Sequence, residues 1–174
     1  MAVGSGAPRP IHHVFMPLFP GHIHVTAVGK LGAKHWLTAQ EDYIKRLRHY
    51  VDLQLVEVKD VVGSGQPDAA AMQKEGELLL QAAKGVGRLI LLTPDGRTLT
   101  SPQLAHFLQK QLEVYGRVAF LIGGPLGFSE NVVAASHDQL ALSPLTFTHE
   151  LARVVLLEQL YRAFTIRNNE KYHK

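Results

Sequence analysis

An α/β domain with a mainly parallel sheet and helices on both faces is the fold this sequence predicts, and three observations carry it. Apolar, β-branched runs alternate along the chain with segments of helical periodicity. Two of those runs, Arg88-Leu89-Ile90-Leu91-Leu92-Thr93 and Val118-Ala119-Phe120-Leu121-Ile122, are apolar without alternation, the pattern of central strands covered on both faces. The second passes straight into Gly123-Gly124-Pro125-Leu126-Gly127, so a buried strand must stop abruptly in a loop poor in side chains. Ligand crevices of open α/β sheets lie at the carboxyl ends of strands, which makes this loop a candidate binding site as well as a plain turn. Gly123, Gly124 and Gly127 lack a Cβ, so the backbone there can take positive φ and approach a bound molecule closely.

The elements follow in order. Met1 to Gly21 is rich in Gly and Pro and reads as a flexible extension, with a docked arm as the alternative because Phe15, Met16, Leu18 and Phe19 are costly to leave in water. The rest, 22–174, reads as a single domain. His22 to Gly29 alternates and forms a strand. From Trp36, residues Ala39, Tyr43, Leu47 and Tyr50 recur at helical spacing, leaving Lys45, Arg46, Arg48 and His49 as either a solvated face or an RNA-facing patch. Val51, Leu53 and Leu55 alternate as a strand. After the loop Val61 to Pro67, Asp68 is placed to cap a helix from Ala69 to Ala83. The strand Arg88 to Thr93 ends at Pro94-Asp95-Gly96. Ser101 is expected to cap, and Pro102 to begin, a helix that Gly116 ends. Ser129 caps a short helix, Gln139 to Leu142 makes another strand, and the last helix runs from Glu150 to about Ile166. That helix is apolar on nearly every side and must be enclosed, by threading or by an oligomer interface.

Composition narrows the function. The chain has 174 residues, 46% hydrophobic, enough for one core and not two. It has no cysteine, which excludes disulfides, thiolate catalysis and cysteine-ligated metal and fits a reducing cytoplasm. No apolar run reaches the roughly 18 residues a membrane span requires. The balance of 18 Lys+Arg against 15 Asp+Glu gives a net charge of +3, which permits a nucleic-acid partner without demanding one. His149-Glu150 opens like a zinc-protease motif, but Arg153 stands where the second histidine is required, so no metal is expected.

Three segments, in this order and spacing, resemble the RlmH family of ribosomal RNA methyltransferases in the SPOUT class: Gly123-Gly124-Pro125-Leu126-Gly127, Ser143-Pro144-Leu145-Thr146-Phe147-Thr148-His149, and Leu156-Leu157-Glu158-Gln159-Leu160-Tyr161-Arg162-Ala163-Phe164 with Tyr172-His173-Lys174 at the end. The resemblance spans about Ile23 to Lys174 and includes Lys74-Glu75-Gly76-Glu77. It implies a homodimer with a C-terminal trefoil knot, an exception to the rule against threaded connections. It implies that S-adenosylmethionine lies against Leu92, Gly123, Gly124, Leu142, Ser143, Pro144, Leu145, Thr146 and Phe147. It further implies methyl transfer to N3 of a pseudouridine in 23S ribosomal RNA of the assembled ribosome, with no membrane partner. Another RNA, such as transfer RNA, or a non-catalytic RNA-binding module are the alternatives. His173 and Tyr172 are the candidates for removing the N3 proton or holding the base, and Arg153 for reaching a phosphate or the target base. Arg162 has the spacing to pair with Glu158 on the helix, and His149 reads as a cap or loop-fixing residue.

Overall fold

The computed structural model describes residues 16–173. Strands β1 (His22–Val28), β2 (Asp52–Val58), β3 (Arg88–Thr98), β4 (Arg117–Ile122) and β5 (Asp138–Ala141) alternate with helices α1 (Lys34–Leu47), α2 (Asp68–Ala82), α3 (Ser101–Tyr115), α4 (Glu130–Ala135) and α5 (His149–Arg167). A short 3-10 turn, Lys171–His173, follows α5. The sheet has the order β2-β1-β4-β3-β5, with every pair parallel.

Strand periodicity sorts the side chains onto two faces. Ile90, Val118, Phe120 and Ile122 join Leu47, Leu108, Leu156, Leu160 and Phe164 in one cluster, so α1, α3 and α5 cover that face. The alternate residues Leu89, Leu91, Ala119 and Leu121 pack instead with Ala83 and Val132, beneath α2 and α4. A parallel sheet buried on both sides needs such uninterrupted apolar strands, each fully buried Leu or Phe contributing about 1.5–3 kcal/mol.

Register brings the strand ends together. Ala27 is level with Ile122, Ile122 with Leu92, and Leu92 with Leu140. The loops that leave β1, β4, β3 and β5 therefore emerge along one edge. β3 runs past the expected Thr93: it bulges so that both Leu92 and Arg97 face Leu140, and it ends at Thr98. Gly96 is required in that bulge because a Cβ there would lie 2.5 Å from the Leu140 carbonyl carbon.

Several helix starts differ from the sequence reading. Thr100, not Ser101, caps α3: its hydroxyl accepts from Gln103 N–H, and the Gln103 side chain accepts from Thr100 N–H. Asp68 is the first residue of α2 and makes no side-chain cap, since Pro67 occupies the cap position. Ser129 holds its cap position, but its hydroxyl contacts Asn131 Oδ1 at 2.5 Å. β5 begins one residue earlier and ends one earlier than expected.

The end of the N-terminal segment is docked rather than free. Leu18 and Phe19 donate main-chain N–H bonds to His49 and Tyr50 carbonyls at 3.0 and 2.7 Å. Phe19 stacks on Phe164 at 5.6 Å, and the Arg167 guanidinium lies 4.3 Å from its ring centre. The expected flexibility of residues 1–15 concerns a stretch outside the described residues.

At the opposite edge of the sheet, His24 on β1 has a buried Nδ1 without a partner. Burial first, then the neighbouring Arg117 and His22, pull its pKa below the ordinary 6.5, with Asp52 pulling the other way. The unfolded chain therefore binds the proton more readily, so stability is complete above 6.5 and falls as the pH drops below it. Urea midpoints measured from about pH 8 to about pH 5 should decline, and His24→Gln should lessen that decline. An unchanged slope in the variant would place the acid sensitivity elsewhere.

Candidate functional site

A cavity of about 510 Å³ opens at the edge where the strand ends converge. Its wall comes from the end of β3 and its bulge (Leu91 to Asp95), from Ile122 to Phe128, from Gln139, Leu142 and Ser143, from Leu145 to His149, and from Val133 and Ala152. Of the residues singled out from sequence, Leu92, Gly123, Gly124, Leu142, Ser143, Leu145, Thr146 and Phe147 thus share one cavity. Pro144 is exposed and is not part of the wall.

The glycine loop works by space more than by backbone angle. Among its three glycines only Gly127 has positive φ, at 84°. Gly127 N–H bonds back to the Gly124 carbonyl at 3.0 Å, closing a tight turn with Pro125 in its second position. A Cβ on Gly123 would lie 2.9 Å from the Gly127 oxygen, and one on Gly124 would lie 2.7 Å from Glu75 Oε2. Gly123 and Gly124 do not use the left-handed freedom open to them. Side chains there would collide with the loop itself and with α2.

Glu75 is the residue behind that collision. It is buried, 2% exposed, and its Oε1 accepts from the N–H groups of Val61 and Val62 at 2.7 and 2.9 Å. Next to it, Gly76 allows α4 to approach, since a Cβ there would fall on the Ser129 hydroxyl. The Glu75-Gly76 pair therefore locks the β2–α2 loop, the glycine loop and α4 to one turn of α2.

The second wall segment spans 142–148. The Ser143 hydroxyl accepts from Leu145 N–H at 3.0 Å, and Thr148 caps α5 by accepting from Leu151 N–H at 3.3 Å. His149, read from sequence as a cap or loop-fixing residue, is not the cap, which is Thr148; it is the first residue of the helix and lines the cavity. Asp95, Phe128 and His149 are among the wall residues that sequence reasoning did not assign to the site. Asp95 was legible as a turn after a central strand, and the strand-end rule applied to β3 as well as β4 would have found it.

Arg153 takes a different place from the one expected of it. It is fully buried, with Nη1 2.5 Å from Glu57 Oε1 and Nη2 2.8 Å from the Gly29 carbonyl. Burial pulls its pKa below the usual arginine range, while Glu57 and Glu150 pull it back. Its terminal nitrogens are engaged by Glu57, Gln40 and the carbonyls of Val28 and Gly29, and the side chain is fully buried, so in this arrangement it is not presented to an RNA phosphate or base. Its work is to fix the start of α5. Glu57→Ala should destabilise the fold by about 3–5 kcal/mol in chemical denaturation, because it leaves a buried cation uncompensated. A change within about 1 kcal/mol would show that the main-chain carbonyls suffice.

The tail lies away from this cavity. The Tyr172 hydroxyl donates to Glu158 Oε1 at 3.1 Å, and its ring meets Tyr161 edge-on at 4.8 Å. Burial, then hydrogen bonding to Tyr43, pushes the Tyr172 pKa well above the ordinary tyrosine value. Arg162 pairs with Glu158 at 2.5 Å, as the four-residue spacing predicts, and its guanidinium sits 4.8 Å from the centre of the Tyr172 ring. Ala152 is the last α5 residue in the cavity wall, and Glu158 follows six residues later, roughly 9 Å along the helix axis. His173 is exposed. Within one chain, then, Tyr172 and His173 are not brought to the cavity.

Among the described residues, no group of three or more His, Cys, Asp or Glu side chains could hold a metal ion. No described helix is long and apolar enough to cross a membrane.

A doubly covered parallel sheet whose strand ends frame a cavity is an α/β architecture that holds its ligand at the carboxyl edge of the sheet. The family model described as "Predicted SPOUT methyltransferase" matches residues 22–173, and the chain belongs to that family. A relative named ribosomal RNA large subunit methyltransferase H, from Parabacteroides distasonis, is 38% identical over 153 residues, covering 87% of this chain and 98% of its own. The protein of the same name from Halothermothrix orenii is also 38% identical, over 157 residues and 99% of its length. Solved structures agree on the fold. A probable methylase family protein from Haemophilus influenzae Rd KW20 superposes with a TM-score of 0.53 at 15% identity, covering 87% of this chain and 70% of that one. A probable methyltransferase from Bordetella pertussis Tohama I gives 0.51 at 15% identity, covering 82% and 95%.

Proposed function

We propose that this protein is an S-adenosylmethionine-dependent methyltransferase that modifies large-subunit (23S) ribosomal RNA at N3 of a pseudouridine. One observation carries the choice of cofactor: the cavity wall contains no lysine or arginine, and its titratable side chains are Asp95 and His149. A nucleotide bearing phosphates needs cations around them. An adenosyl donor without phosphates, carrying a net positive charge, suits this lining. Leu92, Leu142, Leu145 and Phe147 supply apolar surface for a purine, and the glycine loop and the 142–147 segment supply main-chain groups close to the ligand. When bound, S-adenosylmethionine supplies an electrophilic methyl group on a sulfonium.

The protein's own contribution is alignment and proton handling. Holding the uracil nitrogen in line with the methyl lowers the barrier by up to ~7–11 kcal/mol in well-oriented intramolecular models. An imide N–H keeps its proton at neutral pH, so a base must take it during transfer, an effect worth about 10²–10⁴-fold. His173 and Tyr172 are the tail groups suited to holding the base and that proton. Because the tail lies along the middle of its own α5, they serve the cavity of a second copy in a homodimer. The apolar Leu126, Val133 and Leu145 at the cavity, 44%, 43% and 72% exposed, support a covering subunit. Pooling two modest basic surfaces suits a ribosomal target, and the reaction belongs in the cytoplasm where ribosomes are found.

Incubation with methyl-labelled cofactor and ribosomes that carry or lack pseudouridine tests the reading. Label should enter only the pseudouridine-bearing large subunit, and equal labelling of both would remove the substrate assignment. Calorimetry should detect S-adenosylmethionine binding, and its absence would favour a non-catalytic module. His173→Ala should lower kcat by about 10²–10⁴-fold while leaving cofactor affinity within about twofold. A parallel loss of cofactor binding would make His173 part of the cofactor pocket instead.

A further inference from the structure

The buried carboxylate of Glu75 has no counter-ion. Among the described residues, none of the ion pairs involves it, although it is only 2% exposed. The adjacent Lys74 is exposed and pairs with Glu77 instead. Two main-chain donors converge on Glu75 Oε1. Its other oxygen points at the back of the glycine loop, 2.7 Å from where a Gly124 Cβ would stand, and Gly124 is itself part of the cavity wall. Holding the Val61-Val62 turn requires only an acceptor, which an amide would provide without the cost of burying a charge. A carboxyl group buried there, behind the cavity wall and with no cationic partner among the described residues, is placed to act on a cation that arrives from outside the chain.

We propose that Glu75 is the counter-charge for the cationic cofactor: a specificity-determining residue that acts through the thin Gly124 wall and favours the sulfonium donor over its neutral thioether product. The proposal rests on the S-adenosylmethionine reading above. S-adenosylmethionine carries one positive charge more than S-adenosylhomocysteine, and the two otherwise differ by the methyl group that is transferred. A charge on the far side of a wall one glycine thick discriminates between them by field rather than by contact. At an effective dielectric of roughly 20 and a separation under about 10 Å, one unit charge shifts affinity by roughly tenfold. Burial keeps that effect largely insensitive to salt. The absence of a side chain on Gly124 then has a second purpose: it brings the carboxylate up against the wall. Loss of the positive charge on methyl transfer weakens this attraction, which favours exchange of spent product for fresh donor.

Titration calorimetry of the full-length protein with S-adenosylmethionine and, separately, with S-adenosylhomocysteine tests this directly. Glu75→Gln retains an acceptor for the Val61-Val62 turn and removes the charge. Its ratio of product Kd to donor Kd should fall by roughly tenfold relative to the wild type, at low and at high salt alike. Glu75→Asp, which keeps the charge, should hold the wild-type ratio within about threefold. A merely structural role would weaken both ligands equally, so an unchanged ratio in Glu75→Gln overturns the proposal. Should that variant lose its native circular dichroism, Glu75→Met, of similar length and uncharged, provides the same comparison. Failure of the wild type to bind either ligand would instead overturn the cofactor assignment, which keeps the two failures distinct.

Discussion

A single buried guanidinium ties the two ends of the domain together. Arg153 lies one turn into α5, and its two terminal nitrogens bond to the main chain at the end of β1 and to Glu57 on β2. Gly32 N–H adds a bond to Glu150 Oε1 at 3.0 Å, so the start of α5 is held against the β1–α1 loop from two sides. With the helix start fixed there and β5 ending at Ala141, residues 142–148 have to cross the sheet edge. That crossing is what makes half of the cavity wall. Burying a charge is costly, and here the cost is offset by Glu57 at one terminal nitrogen and by main-chain carbonyls at the other, although Nε has no partner among the described residues.

The other half of the wall depends on atoms that are missing. Gly96 lets β3 bulge against β5, Gly123 and Gly127 let the glycine loop fold back on itself, and Gly76 lets α4 settle on α2. Gly96 and Gly123 permit two backbone segments to approach more closely than any side chain would allow, Gly76 makes room for the Ser129 and Val132 side chains, and Gly127 supplies a positive φ. The outcome is a cavity whose chemistry comes mainly from main-chain groups and apolar carbons, with charge held one layer behind it.

Site and reagents are split between places. The cavity sits at the first turn of α5, while the tail that carries Tyr172 and His173 is pinned beside Glu158, Tyr161 and Arg162 farther along the same helix. On the function proposed above, a tail held away from its own cavity would serve the cavity of a second copy.

Much of this was legible in the sequence, and the boundary is physical. Periodicity is local, so the unbroken apolar runs of β3 and β4 announced a sheet covered on both faces, and the all-round apolar α5 announced its own enclosure. The glycine loop and the 142–147 segment could be paired because their residue order matches a family, and they do share one cavity. Helix caps were misplaced by a residue because Thr100, Ser101, Thr148 and their neighbours are all competent caps, and backbone geometry decides among them. Arg153 and Glu75 were beyond reach for a deeper reason. An arginine on a helix and a glutamate in a helix read as surface groups, and only the arrival of β1, β2 and the glycine loop around them, from positions up to 125 residues away, takes them out of water and gives each its partners or its lack of one.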